Sequence, residues 1–270
     1  MLSDSELVAK TGIQRPTLTV AVLTMNEAHR LRACLESAAF ADQILVVDSG
    51  STDGTVALAQ RMGAEVHSYP DWQGFAVQRN RLLEHARGDY VFFLDADEVM
   101  GPDFQREIQA IVASGEQAVW KIRWRMVAFG KELKYFRSNA LVERLFVRKQ
   151  VRCYTGVVHE QAELLQDMPR HVIAAPLLHH SRETVQGSLE KLTQYAMLGA
   201  AKRAERGKKG GVLRGLASGS SMFLRLYFLH LGFLSGGAGF LYCLFFALEA
   251  FFRYAALGYD KQLHSNIRRN

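Results

Sequence analysis

The sequence predicts an α/β protein whose mostly parallel sheet is flanked by helices, with a helical C-terminal region. Between Leu18 and about Ser114, short apolar runs alternate with amphipathic stretches, a pattern typical of βαβ units. Close to half of the 270 residues are apolar, so the chain can bury a full core. From Leu226 to Leu248 there is no Lys, Arg, Asp or Glu, and this run indicates the separate C-terminal region.

Four strands are expected in the first part of the chain. Their predicted ranges are Leu18 to Thr24, Gln43 to Val47, Glu65 to Tyr69 and Tyr90 to Leu94. Leu31, Leu35 and Ala38 mark the apolar face of one helix between them, and Gly101-Pro102 opens another. A third helical stretch, Trp72 to Ala86, carries Arg79 on the same stripe as Phe75, Leu82, Leu83 and Ala86.

After Ser114 the pattern changes to longer strand-like runs without long helices between them. These runs are Ala118 to Phe129, Leu141 to Arg148, Tyr154 to Leu164 and Val172 to Leu178. A helix from about Thr184 to Arg206 follows, and one of its faces carries Val185, Leu189, Leu192, Ala196 and Ala200. We therefore predict a domain over residues 1–182, with a change of character near residue 115, and a helical region over 183–270.

The sharpest chemical signal is Tyr90–Glu98 (YVFFLDADE), where an apolar strand ends in carboxylates. In an open α/β sheet, ligands bind beyond the carboxyl ends of the strands. Asp95 and Asp97 are therefore expected to bind a hard cation such as Mg or Mn, which would offset the charge of a diphosphate. The structural alternative is a helix N-cap before Gly101-Pro102.

A second signal is Val46–Thr55 (VVDSGSTDGT), a strand that ends in Asp48 and a turn rich in Gly and hydroxyl groups. Asp48 is placed to accept hydrogen bonds from a base or ribose. Ser51, Thr52 or Asp53 could cap the next helix, and Asp53 is interpreted as structural. The segment has neither GxGxxG nor GxxxxGK[ST], which argues against dinucleotide and P-loop sites.

Two further features belong to the same edge. Thr24–Glu27 (TMNE) ends the first strand, where Thr24 or Asn26 could bind a ligand or cap a helix. Arg79 on a core-facing stripe needs an anion, either a ligand phosphate or a carboxylate such as Asp48.

Four segments together resemble the successive motifs of glycosyltransferase family 2. They are Leu23–Ala28 (LTMNEA), Val47–Thr55 (VDSGSTDGT), Gln78–Asn80 (QRN) and Leu94–Glu98 (LDADE). The resemblance implies a GT-A (Rossmann-like) fold, a nucleotide-diphosphate sugar as donor and inversion at the anomeric carbon. It also implies a nucleotide-binding half over 17–115 and an acceptor half over 116–182.

The same resemblance implies roles for individual residues. Asn26 and Glu27 lie at the nucleoside, Asp48 contacts the base, and Arg79 lies near the nucleotide. Asp95 meets the ribose or the metal, and Asp97 holds the metal. The expected donor site thus comprises Thr24, Asn26, Glu27, Asp48, Ser51, Arg79, Asp95 and Ala96, with Asp97 and Asp95 as ligands of Mg or Mn.

A second resemblance concerns the rest of the chain. Gly156–Glu160 (GVVHE), His179–Ser181 (HHS) and the tail from Tyr227 to Tyr254 are similar to the branch of the family that includes the lipopolysaccharide-core β-1,4-glucosyltransferase. This implies UDP-glucose as donor and a lipid-linked acceptor in the lipopolysaccharide inner core. The alternatives are a polyprenyl-phosphate acceptor and a nucleotidyltransferase, although the latter normally has a Gly-rich basic loop after its first strand.

An inverting transfer requires a base for the acceptor hydroxyl, and we assign it to Glu160, which follows a predicted strand on the acceptor side. The alternative is a structural Glu160 paired with Arg123, Arg125 or Arg144. His159, His179 and His180 are interpreted as structural, or one of them completes the metal shell.

The formal net charge of +6 is unevenly distributed. A basic cluster comprises Lys202, Arg203, Arg206, Lys208, Lys209 and Arg214. Because a strongly apolar segment follows, and no aromatic residues alternate with these charges, we predict an anionic membrane surface as partner and no nucleic acid. A solvated loop is the alternative.

The apolar segment itself is interrupted by His230 and by residues 234–239 (LSGGAG). This favours a helical hairpin in the membrane interface over a true span or a soluble hairpin. Met1 to Arg15 has no continuous apolar run, so we expect the enzyme at the cytoplasmic face of the inner membrane. Cys34, Cys153 and Cys243 show no CxxC pair and are interpreted as packing residues.

Overall fold

The computed structural model describes residues 15–138, 140–156 and 160–260. These residues form two compact units. The first contains the described residues among 15–124 and 140–179, and the second those among 125–139 and 180–260. The predicted division at residue 182 and its functional halves stay a prediction.

The strands are numbered in chain order. They are β1 (Leu18–Thr24), β2 (Gln43–Asp48), β3 (Glu65–Ser68), β4 (Tyr90–Asp95), β5 (Glu98–Val99), β6 (Val119–Ala128), β7 (Lys131–Glu132), β8 (Leu141–Val147), β9 (Val151–Thr155), β10 (Gln161–Leu164), β11 (Arg170–Val172) and β12 (Leu177–Arg182). A short 3₁₀ turn, Arg148–Gln150, links β8 to β9.

The helices of the first unit are α1 (Leu31–Ser37), α2 (Thr55–Arg61), α3 (Phe75–His85) and α4 (Pro102–Ser114). Those of the second are α5 (Val185–Glu205), α6 (Val212–Leu224) and α7 (Gly236–Tyr259). A π-helical turn, Arg225–Leu229, and a 3₁₀ turn, Gly232–Ser235, join α6 to α7.

The central sheet has the order β3-β2-β1-β4-β8-β6-β12-β5, with β7 and β11 also paired to β6. Strands β3, β2, β1 and β4 are mutually parallel, whereas β8 is antiparallel to β4 and to β6. β9 and β10 form a separate hairpin. The predicted α/β fold with flanking helices is therefore confirmed, and its sheet is mixed, with the parallel strands in the half from β3 to β4.

Local sequence explains these elements. β1 and β4 are buried along almost their whole length, as expected for parallel strands covered on both faces. α4 begins with Pro102 at its first position and ends at Gly115, whose φ of 69° is the left-handed conformation that Gly adopts readily. Thr184 caps α5 by accepting a hydrogen bond from the Gly187 amide.

Two predicted strands are wrong in their extent. Tyr154 to Leu164 was expected as one strand, but β9 ends before Gly156, whose φ of 103° turns the chain. Val172 to Leu178 is likewise divided, because Pro176 lacks the amide that a ladder requires. The amides of Ala174 and Ala175 instead donate to Glu107.

Two predicted core faces also need correction. Phe75 is about half exposed, and it packs edge-on against exposed Trp72 at the start of α3. On α5, Leu192 and the neighbouring alanines are buried, but Val185 and Leu189 are exposed. The apolar face of each helix thus extends, near the start of the helix, beyond the part that is buried against the rest of the protein.

The predicted break in the apolar tail is confirmed. Leu231 adopts a left-handed φ of 61°, and Gly236 has a φ of 62°. α7, from Gly236 to Tyr259, is longer than the short piece that the sequence suggested. Among the described residues one segment, Gly232–Tyr259, is long and apolar enough to cross a membrane, and 44% of its most apolar window is buried in the protein.

Candidate active site

The carboxyl ends of three parallel strands lie side by side in the first unit. In the sheet register Thr24 of β1 is opposite Asp48 of β2, and Leu23 is opposite Asp95 of β4. The predicted gathering of polar strand ends at one sheet edge is therefore present. This edge is where ligands bind in open α/β sheets.

Asp48 is buried and organises the turn that follows β2. Its carboxylate accepts hydrogen bonds from the amides of Gly50 (3.0 Å) and Ser51 (2.9 Å), from the Ser51 hydroxyl, and from the Thr24 hydroxyl (3.2 Å). The predicted contact of Asp48 with a nucleotide base stays a prediction.

Asn26 and Glu27 connect this turn to the end of β1. Asn26 has a positive φ of 57°, a conformation that Asn tolerates better than most residues. Its side-chain oxygen accepts a hydrogen bond from the Thr52 amide (2.8 Å), and its own amide donates to the Ser51 hydroxyl (2.8 Å). The Glu27 amide donates to Thr55 Oγ1 (2.8 Å). These hydrogen bonds connect the loop that carries the exposed Asn26 to the turn after β2.

Asp53 has the structural role that the sequence favoured. Its carboxylate accepts hydrogen bonds from the amide (2.9 Å) and hydroxyl of Thr55 at the start of α2. It also accepts one from the Ala28 amide (3.2 Å). The Thr55 hydroxyl lowers the pKa of Asp53.

Asp95 lies between two guanidinium groups. Arg144 donates to both of its oxygens, at 3.2 Å and 2.5 Å, and Arg79 Nη2 donates to Oδ1 at 3.3 Å. Burial opposes ionisation of Asp95, but Arg144 and then Arg79 outweigh it and hold the pKa of this carboxyl well below its ordinary value. Asp95 is therefore a carboxylate at neutral pH.

Arg79 also reaches the predicted base. Its Nε donates to Glu160 Oε1 at 3.1 Å, and its guanidinium lies over the rings of Phe93 (5.5 Å) and Tyr154 (5.8 Å). Asn80, the next residue, exchanges two hydrogen bonds with the Tyr154 backbone. α3 is thus fixed to β9, and the partners of Arg79 in the structure are the carboxylates Asp95 and Glu160.

Asp97 faces a histidine. Its Oδ2 lies 3.3 Å from His179 Nε2 and 3.8 Å from Arg30 Nη1. Burial alone would raise the pKa of Asp97, but the hydrogen bond from His179 outweighs it, and the pKa of Asp97 is lowered. Burial alone would lower the pKa of His179, but the hydrogen bond to Asp97 outweighs it, and the pKa of His179 is raised. The two side chains therefore share a hydrogen bond at the end of the DAD segment, and each favours the charged form of the other.

Glu98 is buried behind these residues. Its Oε2 accepts a hydrogen bond from the Asp95 amide (2.8 Å), and its Oε1 accepts from Trp124 Nε1 (2.5 Å) and Arg144 (3.3 Å). Burial raises the pKa of Glu98, and Arg144 opposes that rise. Glu98 thus fixes the turn that carries Asp95 and Asp97. The alternative of an N-cap before Gly101-Pro102 is wrong, because Gly101 is the N-cap residue of α4 and, within the described residues, no side chain accepts a capping hydrogen bond there.

Comparison with known proteins identifies the family. Residues 19–163, more than half of the chain, match the model of glycosyl transferase family 2. The chain belongs to this family.

Relatives of this glycosyltransferase extend along most of its length. An uncharacterized glycosyltransferase of Rickettsia bellii is 27% identical over 94% of this chain and 88% of its own. LpsC of Rhizobium meliloti, described as a lipopolysaccharide core biosynthesis glycosyltransferase, is 27% identical over 88% of this chain and 91% of its own. A solved structure of Staphylococcus aureus TarS with UDP-GlcNAc aligns with a TM-score of 0.47 at 17% identity, over 62% of this chain and 59% of that one.

A divalent cation is implied by the family, and the residues at this edge fit one in part. Among the described residues there is no group of three or more His, Cys, Asp and Glu side chains arranged to hold a metal ion. Asp97 is an ionised, part-exposed carboxylate, a suitable ligand for Mg or Mn. Both oxygens of Asp95 accept hydrogen bonds from arginines, whereas the contacts of Asp97 with His179 and Arg30 are made by Oδ2.

Sequence reasoning placed several site residues but missed others. In the structure Arg79, Asp95 and Glu160 are joined by hydrogen bonds. The hydroxyl groups of Thr24 and Ser51 both donate to Asp48. Ala96 is buried between the two aspartates. The structural alternative for Glu160 named the wrong arginines, since its partner is Arg79.

The sequence analysis missed Trp124 and Arg30 as parts of the site, and it named Arg144 and Glu98 without their contacts to Asp95. The signal for Arg144 was its position directly before the apolar end of β8 (LVERLFV), because an arginine that is buried there needs a carboxylate. His179 contacts Asp97 in the first unit. His159 lies outside the described residues.

Proposed function

We propose that this glycosyltransferase is an inverting, Mg- or Mn-dependent enzyme. In this proposal it transfers a sugar, with UDP-glucose as the expected donor, to a lipid-linked acceptor of the lipopolysaccharide inner core. The donor is held by Thr24, Asn26, Glu27, Asp48, Ser51, Arg79, Asp95 and Ala96, Asp97 ligates the cation, and Glu160 is the catalytic base.

One observation carries this proposal most strongly. Arg79 donates to Asp95 in the family motif and to Glu160, the predicted base, with adjacent nitrogens of one side chain. An in-line displacement requires a base that is held in a fixed orientation beside the donor site. If Glu160 were purely structural, there would be no reason for it to share Arg79 with Asp95.

The chemical step follows from this arrangement. Glu160 Oε1 accepts the Arg79 hydrogen bond, so we assign Oε2 to accept the proton of the acceptor hydroxyl. The acceptor oxygen forms a bond to the anomeric carbon while the bond from that carbon to the diphosphate oxygen breaks. The electron pair leaves on the diphosphate, and the single displacement inverts the anomeric configuration. A bound cation would offset the charge of the diphosphate.

The acceptor class rests on different support. LpsC, a relative along most of the chain, is described as acting in lipopolysaccharide core biosynthesis. The basic cluster and the apolar α7 are consistent with an acceptor displayed at a membrane. We therefore propose a peripheral or interfacial position at the cytoplasmic face of the inner membrane.

The test is donor binding followed by product analysis. Nucleotide-sugars are titrated into the protein by calorimetry with Mg, with Mn and with EDTA, and the best donor is then incubated with membrane glycolipid. Cation-dependent binding of a UDP-sugar and a product with inverted anomeric configuration are expected. Binding of nucleoside triphosphates in preference to nucleotide-sugars, or a product with retained configuration, would overturn the proposal.

A further inference from the structure

The second unit contains an apolar groove between α6 and α7. Leu216, Phe223 and Leu224 of α6 and Leu244, Leu248 and Phe251 of α7 line a cavity of about 460 Å³. This volume is in the range of sites that bind small ligands. Although the groove is open to solvent, its side chains are almost entirely apolar, so water is a poor occupant.

Glycines set the depth of the groove. A Cβ atom added to Gly219 would lie 3.0 Å from the Ala247 carbonyl oxygen, and one added to Gly215 would lie 2.9 Å from that of Phe251. α6 and α7 therefore approach closely along their glycine face. The larger side chains on either side of this contact form the walls of the groove.

The surface around the groove is unusually apolar for a protein in water. Leu216 is 52% exposed, Leu224 is 55% exposed and Leu213, near the start of α6, is 83% exposed. Phe228 and Leu229, which follow α6, are also exposed. Large exposed apolar residues concentrated in α6 and the turn after it indicate an interaction surface.

Positive charge lies at one end of the groove. The Gly211 amide donates to the Tyr254 carbonyl oxygen (2.8 Å), which fixes the start of α6 against the end of α7. Leu216 follows Gly211 by about 8 Å along the helix axis. Lys208 and Lys209 immediately precede this contact, and Arg214 donates to the Lys209 carbonyl oxygen (2.8 Å). Among the described residues no carboxylate forms an ion pair with Lys208 or Lys209.

We propose that the groove binds one acyl chain of an anionic phospholipid in the bilayer, with the phosphate of that lipid at Lys208, Lys209 and Arg214. An apolar slot that ends in positive charge complements a molecule with an apolar chain and an anionic head. A second copy of the chain is the other candidate occupant, and the vesicle-free dimer measurement below distinguishes it from a lipid.

This inference deepens the proposed membrane association, but its test needs no sugar transfer. The full chain is sedimented with vesicles of phosphatidylcholine, with and without phosphatidylglycerol. Binding to the anionic vesicles is expected, and Lys208→Gln with Lys209→Gln should weaken it about 30-fold, near fivefold for each charge. Arg61→Gln with Lys149→Gln, two exposed positions of the first unit, removes the same charge and should have little effect.

A second pair of variants tests the groove itself. Leu216→Gln with Leu224→Gln should abolish most of the binding to anionic vesicles. Leu189→Gln with Leu198→Gln is the matched control, because these leucines of α5 are 53% and 59% exposed and do not line the groove. Circular dichroism confirms that each variant is folded. Equal loss in both pairs would overturn the proposal.

The acyl chain is located by cross-linking. Phosphatidylglycerol with a photoreactive group on its acyl chain is incorporated in the vesicles, and the modified peptides are identified by mass spectrometry. Adducts on Leu216–Leu224 and Leu244–Phe251 are expected. Adducts confined to other segments would overturn the inference. A dimer that forms without vesicles and that Leu216→Gln dissociates would also overturn the inference, because the groove would then be an interface between two copies of the chain. Donor binding that persists in the groove variants separates this result from the proposed catalytic function.

Discussion

At the scale of single residues, Arg79 links two parts of the site that lie far apart in the sequence. Spacing alone left its partner open between a ligand phosphate and a carboxylate such as Asp48. In the structure Asp95 and Glu160 share its guanidinium group. Because a buried guanidinium is stable only with its anions in place, Arg79 fixes the distance between the donor motif and the proposed base.

Replacement of Glu160 by Gln tests the proposed base. Gln preserves the size and an acceptor for Arg79 but cannot take the proton, so turnover should fall by about 10²- to 10⁴-fold. Donor affinity, measured by calorimetry, should remain close to the wild-type value. Glu163→Gln makes the same change on β10 of the same hairpin and should leave turnover unaffected. Substantial turnover in Glu160→Gln would reject the assignment.

Asp97→Asn tests the cation site. The amide is a weaker ligand than a carboxylate, and Mn-dependent donor affinity should fall by at least about tenfold. His179→Ala removes the hydrogen bond that orients Asp97 and should cause a smaller loss. Asp53→Asn is the control, because the Asp53 carboxylate accepts hydrogen bonds from Thr55 at the start of α2. Equilibrium dialysis with UDP-sugar, with and without EDTA, measures the effect; unchanged cation dependence in Asp97→Asn would contradict this role.

At the scale of elements, the sequence predicted the parallel half of the sheet nearly residue by residue. Strands such as β1 and β4 are buried on both faces, so their apolar runs have clear ends. The sequence did not predict the β9–β10 hairpin, because the strand-like run from Tyr154 to Leu164 shows no change in composition at Gly156. Arg144 was not placed in the site because its carboxylates lie about 50 positions away along the chain, which no local pattern records.

The contact of Gly258 with Gly211 is a sensitive point of helix packing in the second unit. A Cβ atom at Gly258 would lie 2.5 Å from the Gly211 amide nitrogen. Gly258→Ala should therefore lower the free energy of unfolding by about 1–3 kcal/mol. Gly237→Ala, near the start of the same helix, meets nothing within 4 Å and should be neutral or slightly stabilising. Urea denaturation compares the two variants, and equal stability would refute this prediction.

Glu65 at the edge strand β3 gives a pH-dependent contribution to stability. It pairs with Arg87 (2.6 Å), which lowers its pKa to about 2. Because the pKa is depressed in the folded state, the contribution is full above about pH 4.5, the range of an unfolded Glu. It is lost as the pH falls towards the folded value.

Glu65→Gln should thus lower the free energy of unfolding at neutral pH by up to about 1 kcal/mol, since solvent screens the pair. The difference from the wild type should shrink near about pH 3. Urea denaturation at both pH values measures it. Glu36→Gln, in an exposed pair with Arg32, should show almost no effect. A difference that does not change with pH would contradict the pairing.

At the scale of the whole molecule, the proposed acceptor and the basic cluster imply that reaction rate depends on the surface that displays the acceptor. The same glycolipid acceptor should react at least about tenfold faster in anionic than in neutral vesicles, because charge concentrates the enzyme at that surface. Added salt should reduce the ratio. The rate with a soluble oligosaccharide acceptor serves as the control, and rates that do not depend on vesicle charge would exclude this effect.

The second unit contains a segment that lies between the two parts of the first unit in the sequence, and this order has a consequence for folding during translation. The first unit is complete once His179 has been made, whereas residues 125–138 belong with elements that are translated last. The backbone of Phe129 donates to Arg182, and that of Arg137 donates to His230. During translation the end of this segment therefore lacks a partner until His230 has been made, and a stop codon shortly after residue 182 would leave the Arg137 amide without this acceptor.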